Sequence, residues 1–103
     1  MNQTAQTLFR VFLEGGNFLI RLDGRRRRFG FFVTRFVEAQ DEADAATRSV
    51  RLLWDELSRK GGVLNDAADA PRIVVDRIEE IDPADKPDTN PGFAWFPEDN
   101  LVQ

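Results

Sequence analysis

The stretch from residue 29 to residue 60 constrains the fold most, because it joins a strongly β-forming segment to an amphipathic helix. Phe29 to Ala39 is rich in aromatic and β-branched residues, which suit a pleated, half-buried surface. Side chains alternate along a strand, so both faces of this segment carry bulky apolar groups. The pattern predicts a central strand with neighbours on both sides.

Residues 41 to 62 predict the helix and both of its ends. Apolar side chains recur every three or four positions and therefore share one stripe: Ala43, Ala46, Val50, Leu53 and Leu57. Asp41 is placed to cap the first turn, and Gly61 can adopt the left-handed conformation that ends a helix. Acid-first pairs four residues apart predict ion pairs along the solvated face: Asp44 with Arg48, Asp55 with Arg59, and Glu56 with Lys60.

The first forty residues predict short strands joined by tight turns. Leu8 to Glu14 and Phe18 to Leu22 alternate in polarity, as half-buried strands do. Gly15-Gly16-Asn17 and Asp23-Gly24 have turn composition, because glycine, asparagine and aspartate tolerate positive φ angles. Together with the strand that begins at Phe29, these segments predict a three-stranded antiparallel meander.

The chain after the helix predicts one further strand and an aromatic segment. Arg72 to Asp82 alternates in polarity, and residues 82 to 92 form a proline-rich loop. Residues 93 to 96 contain three aromatic side chains, which form either a short edge strand or a cover for the core. Residues 1 to 7 are polar, and we expect them to be frayed. The predicted fold is a single α+β domain over residues 1 to 103, with a mostly antiparallel sheet of four to five strands and one amphipathic helix on one face.

Such a sheet is too wide for one helix to cover. A helix with its side chains is about 10 to 12 Å across and strands lie about 4.8 Å apart, so one helix covers roughly two strands. The rest of the sheet face needs either the C-terminal aromatic segment or a partner chain, most simply a second copy related by a two-fold axis. We therefore expect a homodimer. The aromatic residues that we predict at its interface are Phe93, Trp95 and Phe96.

The composition excludes most catalytic chemistry. The chain of 103 residues contains no cysteine, no histidine and no tyrosine. Disulfides, thiolate or imidazole metal sites and the usual catalytic triads are therefore impossible. The carboxylates near the end of the last long strand, at Glu79, Glu80 and Asp82, lack the spacing of a calcium loop. We expect no enzymatic activity, no cofactor and no metal site.

The sequence also predicts the compartment. No apolar run approaches the roughly 18 to 20 residues that span a bilayer. The first ten residues lack the basic segment and apolar core of a secretory signal. We therefore expect a cytoplasmic protein.

Four consecutive arginines form the most conspicuous polar feature: Arg25, Arg26, Arg27 and Arg28. A basic hairpin tip beside aromatic residues is typical of sites that bind phosphate or nucleic acid. The alternative is that these arginines are solvated and pair with nearby acids such as Asp23 and Glu14. The net charge of −4 opposes unspecific binding to a polyanion.

The same segment resembles the aromatic strand motif of the RNA-recognition fold. Arg27, Phe29, Gly30 and Phe31 match that motif. Arg28 stands where the motif has its first glycine, Phe32 where it has an aliphatic residue, and Thr34 where it has its last aromatic residue. The resemblance implies that Phe29 and Phe31 stack on bases of a single-stranded nucleic acid. The RNA-recognition fold also requires a full helix before this strand, and residues 8 to 28 have no helical periodicity.

A second resemblance covers more of the chain. The order of elements is a hairpin, a strand with the sequence GFFVTRFVEA, an alanine-containing helix, the strand PRIVVDRIEEID and a terminal GFAWFPED. The residues that carry the resemblance are Gly30, Phe31, Thr34, Arg35, Phe36, Val37, Glu38, Ala39 and Ala43. This pattern is similar to a family of short, uncharacterised bacterial α+β proteins. The resemblance implies a fold and no established activity.

Two arginines lie within otherwise apolar strand faces, and a buried arginine needs a partner. The nearby candidates are Glu38 for Arg35 and Glu79 for Arg77. These pairs are either structural or the lining of an anion pocket. The leading functional prediction is a non-enzymatic binding or assembly module that acts through protein contacts as a dimer. The alternatives are single-stranded nucleic-acid binding through Arg25 to Arg28 and, third, a small carboxylate-based enzyme.

Overall fold

A computed structural model describes residues 6–98, which form a four-stranded antiparallel sheet and one α-helix. The elements in chain order are β1 (Thr7–Leu22), β2 (Arg25–Ala39), α1 (Glu42–Lys60), β3 (Arg72–Glu80) and β4 (Ala94–Pro97). The strand order across the sheet is β3-β1-β2-β4. The predicted α+β class with one helix is therefore confirmed. Among residues 6–98, no helix is long and apolar enough to cross a membrane.

The long hairpin of β1 and β2 differs from the predicted meander. β1 is one strand of 16 residues, and its pairing with β2 continues on both sides of an irregularity between Gly15 and Phe18. The predicted turn at residues 15 to 17 is therefore a β-bulge, and Asn17 accommodates it with a φ of 61°. The predicted turn at Asp23-Gly24 is confirmed, since both residues have positive φ and join the two strands.

The helix begins and ends where its capping residues predict. The Asp41 side chain accepts a hydrogen bond of 2.8 Å from the amide of Asp44. Gly61 has a φ of 74°, and its amide donates to the carbonyl of Leu57. The buried stripe is shifted relative to the prediction, because Ala43 is exposed. The helix residues that are buried are Ala45, Ser49, Leu53 and Leu57.

The core lies between α1 and one face of the sheet. Its largest fully buried side chains are Phe18 and Phe31, whose ring centroids are 5.2 Å apart. Trp54 of α1 packs on Phe18 at 5.7 Å. The other buried apolar residues of this cluster are Phe9, Val11, Leu13, Val33, Val37, Ala39, Ala45, Leu53 and Leu57.

The C-terminal aromatic segment forms an edge strand, one of the two predicted outcomes. β4 pairs with residues 29 to 32 of β2, and Gly30 lies opposite Phe96. The loop that precedes β4 contains one short 3-10 turn at Pro83–Asp85. Residues 1 to 5 and 99 to 103 lie outside the described range. Most of the segment that we expect to be frayed lies outside that range, and Thr7 is the first residue of β1.

The buried arginine has a different partner from the predicted one. Arg35 is 5 % exposed, and its guanidinium pairs with Glu56 of α1 at 2.8 Å rather than with Glu38. Glu38 is exposed because it points away from the helix side. Glu56 is consequently not engaged in the predicted pair with Lys60. The predicted pairs Arg77–Glu79, Asp44–Arg48 and Asp55–Arg59 are confirmed at 2.8, 3.1 and 3.0 Å.

Candidate binding surfaces

The side of the sheet opposite α1 carries a group of apolar side chains. We call this side the open face, because α1 packs on the other side and residues 6–98 contain no second α-helix. Its apolar residues are Phe12, Phe32, Phe36, Val74 and Phe96. Phe32 is 51 % exposed and Val74 is 47 % exposed. A group of exposed apolar side chains on one face marks an interaction surface more often than scattered single residues do.

Two arginines frame the aromatic centre of the open face. The guanidinium of Arg77 lies 4.6 Å from the ring centroid of Phe12, and that of Arg10 lies 5.8 Å from it. The carboxylate of Glu79 forms ion pairs with both arginines, at 2.7 Å from Arg10 and 2.8 Å from Arg77. The hydrogen bond from Arg10, together with the charges of both arginines, keeps the pKa of Glu79 below its ordinary value. The carboxylate therefore stays charged and holds both guanidinium groups near the Phe12 ring.

The three aromatic residues predicted at an interface do not share one surface. Phe96 lies on the open face, where its ring packs on Phe32 at a centroid distance of 5.3 Å. Phe93 and Trp95 lie on the helix side, where they stack on each other at 5.4 Å and contact Phe31. Alternation along β4 separates them, so one flat interface can include Phe96 or Trp95 but not both.

The arginine run is divided between the two faces of the hairpin. Arg25 and Arg26 are exposed. Arg27 lies 5.8 Å from the ring centroid of Phe29. Arg28 donates to Asp69 at 2.7 Å and to the side-chain oxygen of Asn17 at 2.6 Å. This partner replaces the predicted ones, Asp23 and Glu14, because the bulge brings the loop after α1 next to Arg28.

Arg28 belongs to a network of polar side chains around the bulge. Asn17 donates its side-chain amide to Asp69 at 2.9 Å, and Asn65 donates to the backbone carbonyl of Asn17 at 2.8 Å. Hydrogen bonds from Asn17 and Arg28 keep the pKa of Asp69 below its ordinary value. Arg28 is therefore a structural residue that ties the loop to β2.

The aromatic residues assigned to base stacking are core residues. Phe29 is 8 % exposed and Phe31 is 0 % exposed, so neither ring offers a face to a base. The stacking role that the RNA-recognition resemblance implies is therefore wrong for both. Both side chains point toward α1 because they share the buried face of β2. Binding of nucleic acid through the exposed Arg25 and Arg26 stays a prediction without an aromatic platform.

The abundant carboxylates are dispersed. Within residues 6–98, no three acidic side chains lie close enough together to hold a metal ion. Asp44 has a pKa below its ordinary value because it accepts hydrogen bonds from the amide of Gln40 and from Arg48. These contacts fasten the start of α1 to the end of β2, which is a structural task.

Comparison of the sequence and the structure with protein-family models, curated proteins and solved structures finds no match. Function is therefore inferred from the geometry of this chain alone. The open face was only partly visible in the sequence. Alternation placed Phe32 and Phe36 on one side of a strand, but it could not show which side α1 covers.

Proposed function

We propose that the protein is a non-enzymatic assembly module in which two copies associate through their open faces. The observation that carries the proposal is the group of half-exposed apolar side chains around Phe32 on the face opposite α1. A sheet with one face on a helix and the other in water normally carries polar residues on the wet side. Here all four strands contribute phenylalanine or valine to that side, so burial of the open face is favourable.

The charges of the open face favour a second copy over a strongly charged partner. The open face carries both signs of charge: Arg10 and Arg77 pair with Glu79, and Glu14 lies further along β1. A partner that carries mainly one sign of charge would meet like charges at half of these positions. A two-fold axis brings the same mixed pattern to both sides, so cations of one copy can lie opposite carboxylates of the other.

The area of the open face can be compared with the area that a standard dimer interface buries. Three strands with about eight residues each and β4 with four residues, at about 4.8 Å between strands and about 3.3 Å per residue, give a face of roughly 450 Å² in projection. The accessible surface of side chains exceeds their projection, and a standard interface buries about 800 Å² per partner. The face therefore approaches the size of a standard interface without any contribution from the helix side.

Phe32→Asp is expected to shift the monomer–dimer equilibrium toward the monomer by at least about a hundredfold, because it places a charge at the centre of a desolvated apolar contact. The measurement is sedimentation velocity of both proteins over a range of concentrations. The matched control is Leu52→Asp, since Leu52 is also 51 % exposed but lies on α1.

The control separates interface loss from general damage. We expect Leu52→Asp to associate as the unsubstituted chain does, and both variants to keep the far-ultraviolet circular dichroism of the parent. Equal association of Phe32→Asp and the parent would refute the open-face dimer, as would a parent that sediments as a monomer at all concentrations tested.

A further inference from the structure

An apolar pocket of about 350 Å³ lies on the helix side, away from the open face. It is formed by the end of the β1–β2 hairpin, the C-terminal end of α1 with the glycines that follow it, and β4. Its apolar lining consists of Ile20, Leu22, Phe29, Leu57, Val63 and Trp95. This volume is within the range of roughly 300 to 1,000 Å³ that small-molecule sites occupy.

Two large apolar side chains of the pocket remain in contact with solvent. Leu22 is 51 % exposed and Trp95 is 40 % exposed. The indole of Trp95 is held edge-on against Phe29 and Phe18, at centroid distances of 6.3 Å. The pocket wall is therefore preorganised, and a ligand that fills it removes the remaining apolar surface from water.

One basic residue, Lys60, lines this pocket. Its ammonium lies 5.2 Å from the ring centroid of Phe93. Within the part of the chain that the structure describes, Lys60 forms no ion pair, because Glu56 is engaged by Arg35. An unpaired ammonium beside apolar walls favours an anionic group on whatever fills the pocket.

The hairpin adds two further cations on the same side. Arg25 is the cross-strand partner of Leu22, and Arg27 is the partner of Ile20. Cross-strand partners share one face of a sheet, so both arginines lie on the pocket side of the hairpin. Arg25 is exposed, so it adds a second positive charge on the pocket side of the hairpin, besides that of Lys60.

We propose that this pocket binds a single-chain anionic amphiphile, a molecule with one apolar chain or aromatic system that ends in a carboxylate or sulfonate. The apolar part lies against Leu22, Val63 and Trp95, and the anionic end lies near Lys60. Free amphiphile in solution is the ligand, because the pocket is a concave site of small-molecule size and a bilayer requires a flat or protruding surface. The site is on the opposite side of the sheet from the dimer surface, so either proposal can fail without the other.

The test uses two fluorescent probes that have the same ring system and differ by one sulfonate group. Anilinonaphthalene sulfonate carries the anion, and N-phenyl-naphthylamine is the same ring system without it. We expect saturable binding of the sulfonate with one site per chain, displacement by dodecanoate, and weaker binding of the neutral probe. Equal affinity for both probes, or no saturable binding, would overturn the proposal.

Two pairs of variants locate the probe. Lys60→Gln is expected to weaken sulfonate binding about threefold, whereas Arg59→Gln, which removes the neighbouring exposed cation, leaves it unchanged. Leu22→Ser is expected to weaken it about fivefold, and Leu52→Ser, at an equally exposed leucine outside the pocket, leaves it unchanged.

A membrane surface is the competing ligand, and vesicles distinguish it. Phosphatidylglycerol vesicles are expected not to sediment the protein at the dodecanoate concentrations that displace the probe. Sedimentation with these vesicles, combined with no displacement by dodecanoate, would overturn the proposal in favour of a membrane-docking surface. Equal effects within each pair of variants would also overturn it, because the probe would then bind elsewhere.

Discussion

Gly15→Ala is expected to lower the free energy of unfolding by about 2 to 3 kcal/mol, because overpacking a rigid core costs this much. A Cβ atom at Gly15 would lie 2.1 Å from Cε2 of Phe31. The Phe31 ring is fully buried between the sheet and α1, so it cannot move aside without displacing its neighbours. Urea denaturation followed by tryptophan fluorescence measures the change.

The control for this substitution is Gly92→Ala. A Cβ at Gly92 would meet no atom within 4 Å, so we expect a change of less than about 0.5 kcal/mol. Replacing the Phe31 ring by the smaller leucine side chain, in the double variant Gly15→Ala/Phe31→Leu, should recover part of the lost unfolding free energy, because the two sites are in direct contact. Strict additivity of the two changes, or an unchanged Gly15→Ala, would contradict the packing described here.

Glu56→Ala is expected to destabilise the protein by about 3 kcal/mol, because it leaves a buried guanidinium without its counter-charge. Arg35 is 5 % exposed and donates three hydrogen bonds to the two carboxylate oxygens of Glu56, the shortest of 2.8 Å. The carbonyl of Pro91 accepts from Arg35 at 2.7 Å but carries no full charge. Thermal and urea denaturation report the loss.

A neighbouring exposed pair supplies the matched control. Asp55 and Arg59 are four residues apart on α1, and their side chains are 66 % and 70 % exposed. Asp55→Ala should therefore cost only about 0.3 to 0.5 kcal/mol. In the double variant Glu56→Ala/Arg35→Met the buried charge is absent, so we expect it to be more stable than Glu56→Ala alone. A double variant less stable than that single variant would contradict a role for the unpaired charge.

The helix could be predicted from the sequence because its determinants are local. Asp41 and Gly61 cap it through contacts within four residues, and the period of its apolar residues fixes which side is buried to within about one residue. The buried polar position Ser49 shows the limit of that period. Its hydroxyl donates a hydrogen bond to the carbonyl of Ala46, so the hydroxyl is paired within the helix although the residue is buried.

The bulge could not be predicted from local composition. Gly15-Gly16-Asn17 has the residues of a turn, and only the pairing of both flanking segments with β2 excludes one. The Phe31 ring occupies the position that a Cβ atom at Gly15 would take, and Phe31 is distant from Gly15 in the sequence. Glycine is needed here for close packing across strands, a reason that turn statistics do not contain.

The candidate surfaces were harder to predict than the elements, because they depend on which side of the sheet α1 covers. Phe29 and Phe31 share a face with Arg27 in any extended strand, and this favoured base stacking. The helix buries both rings, while Phe32 remains exposed on the other side. The pocket at Lys60 joins three segments that are distant in the sequence, so only the tertiary structure brings its walls together.

The measurement that tests the open-face dimer most directly is a distance between spin labels, since the chain has no cysteine of its own. One label is placed at Thr34→Cys on the open face, and a second protein carries it at Ser58→Cys on α1. Facing sheets lie about 10 Å apart and each helix adds about 10 Å, so we predict a shorter distance between copies for position 34 than for position 58. Absence of dipolar coupling at both positions, or a shorter distance at position 58, would contradict association through the open face.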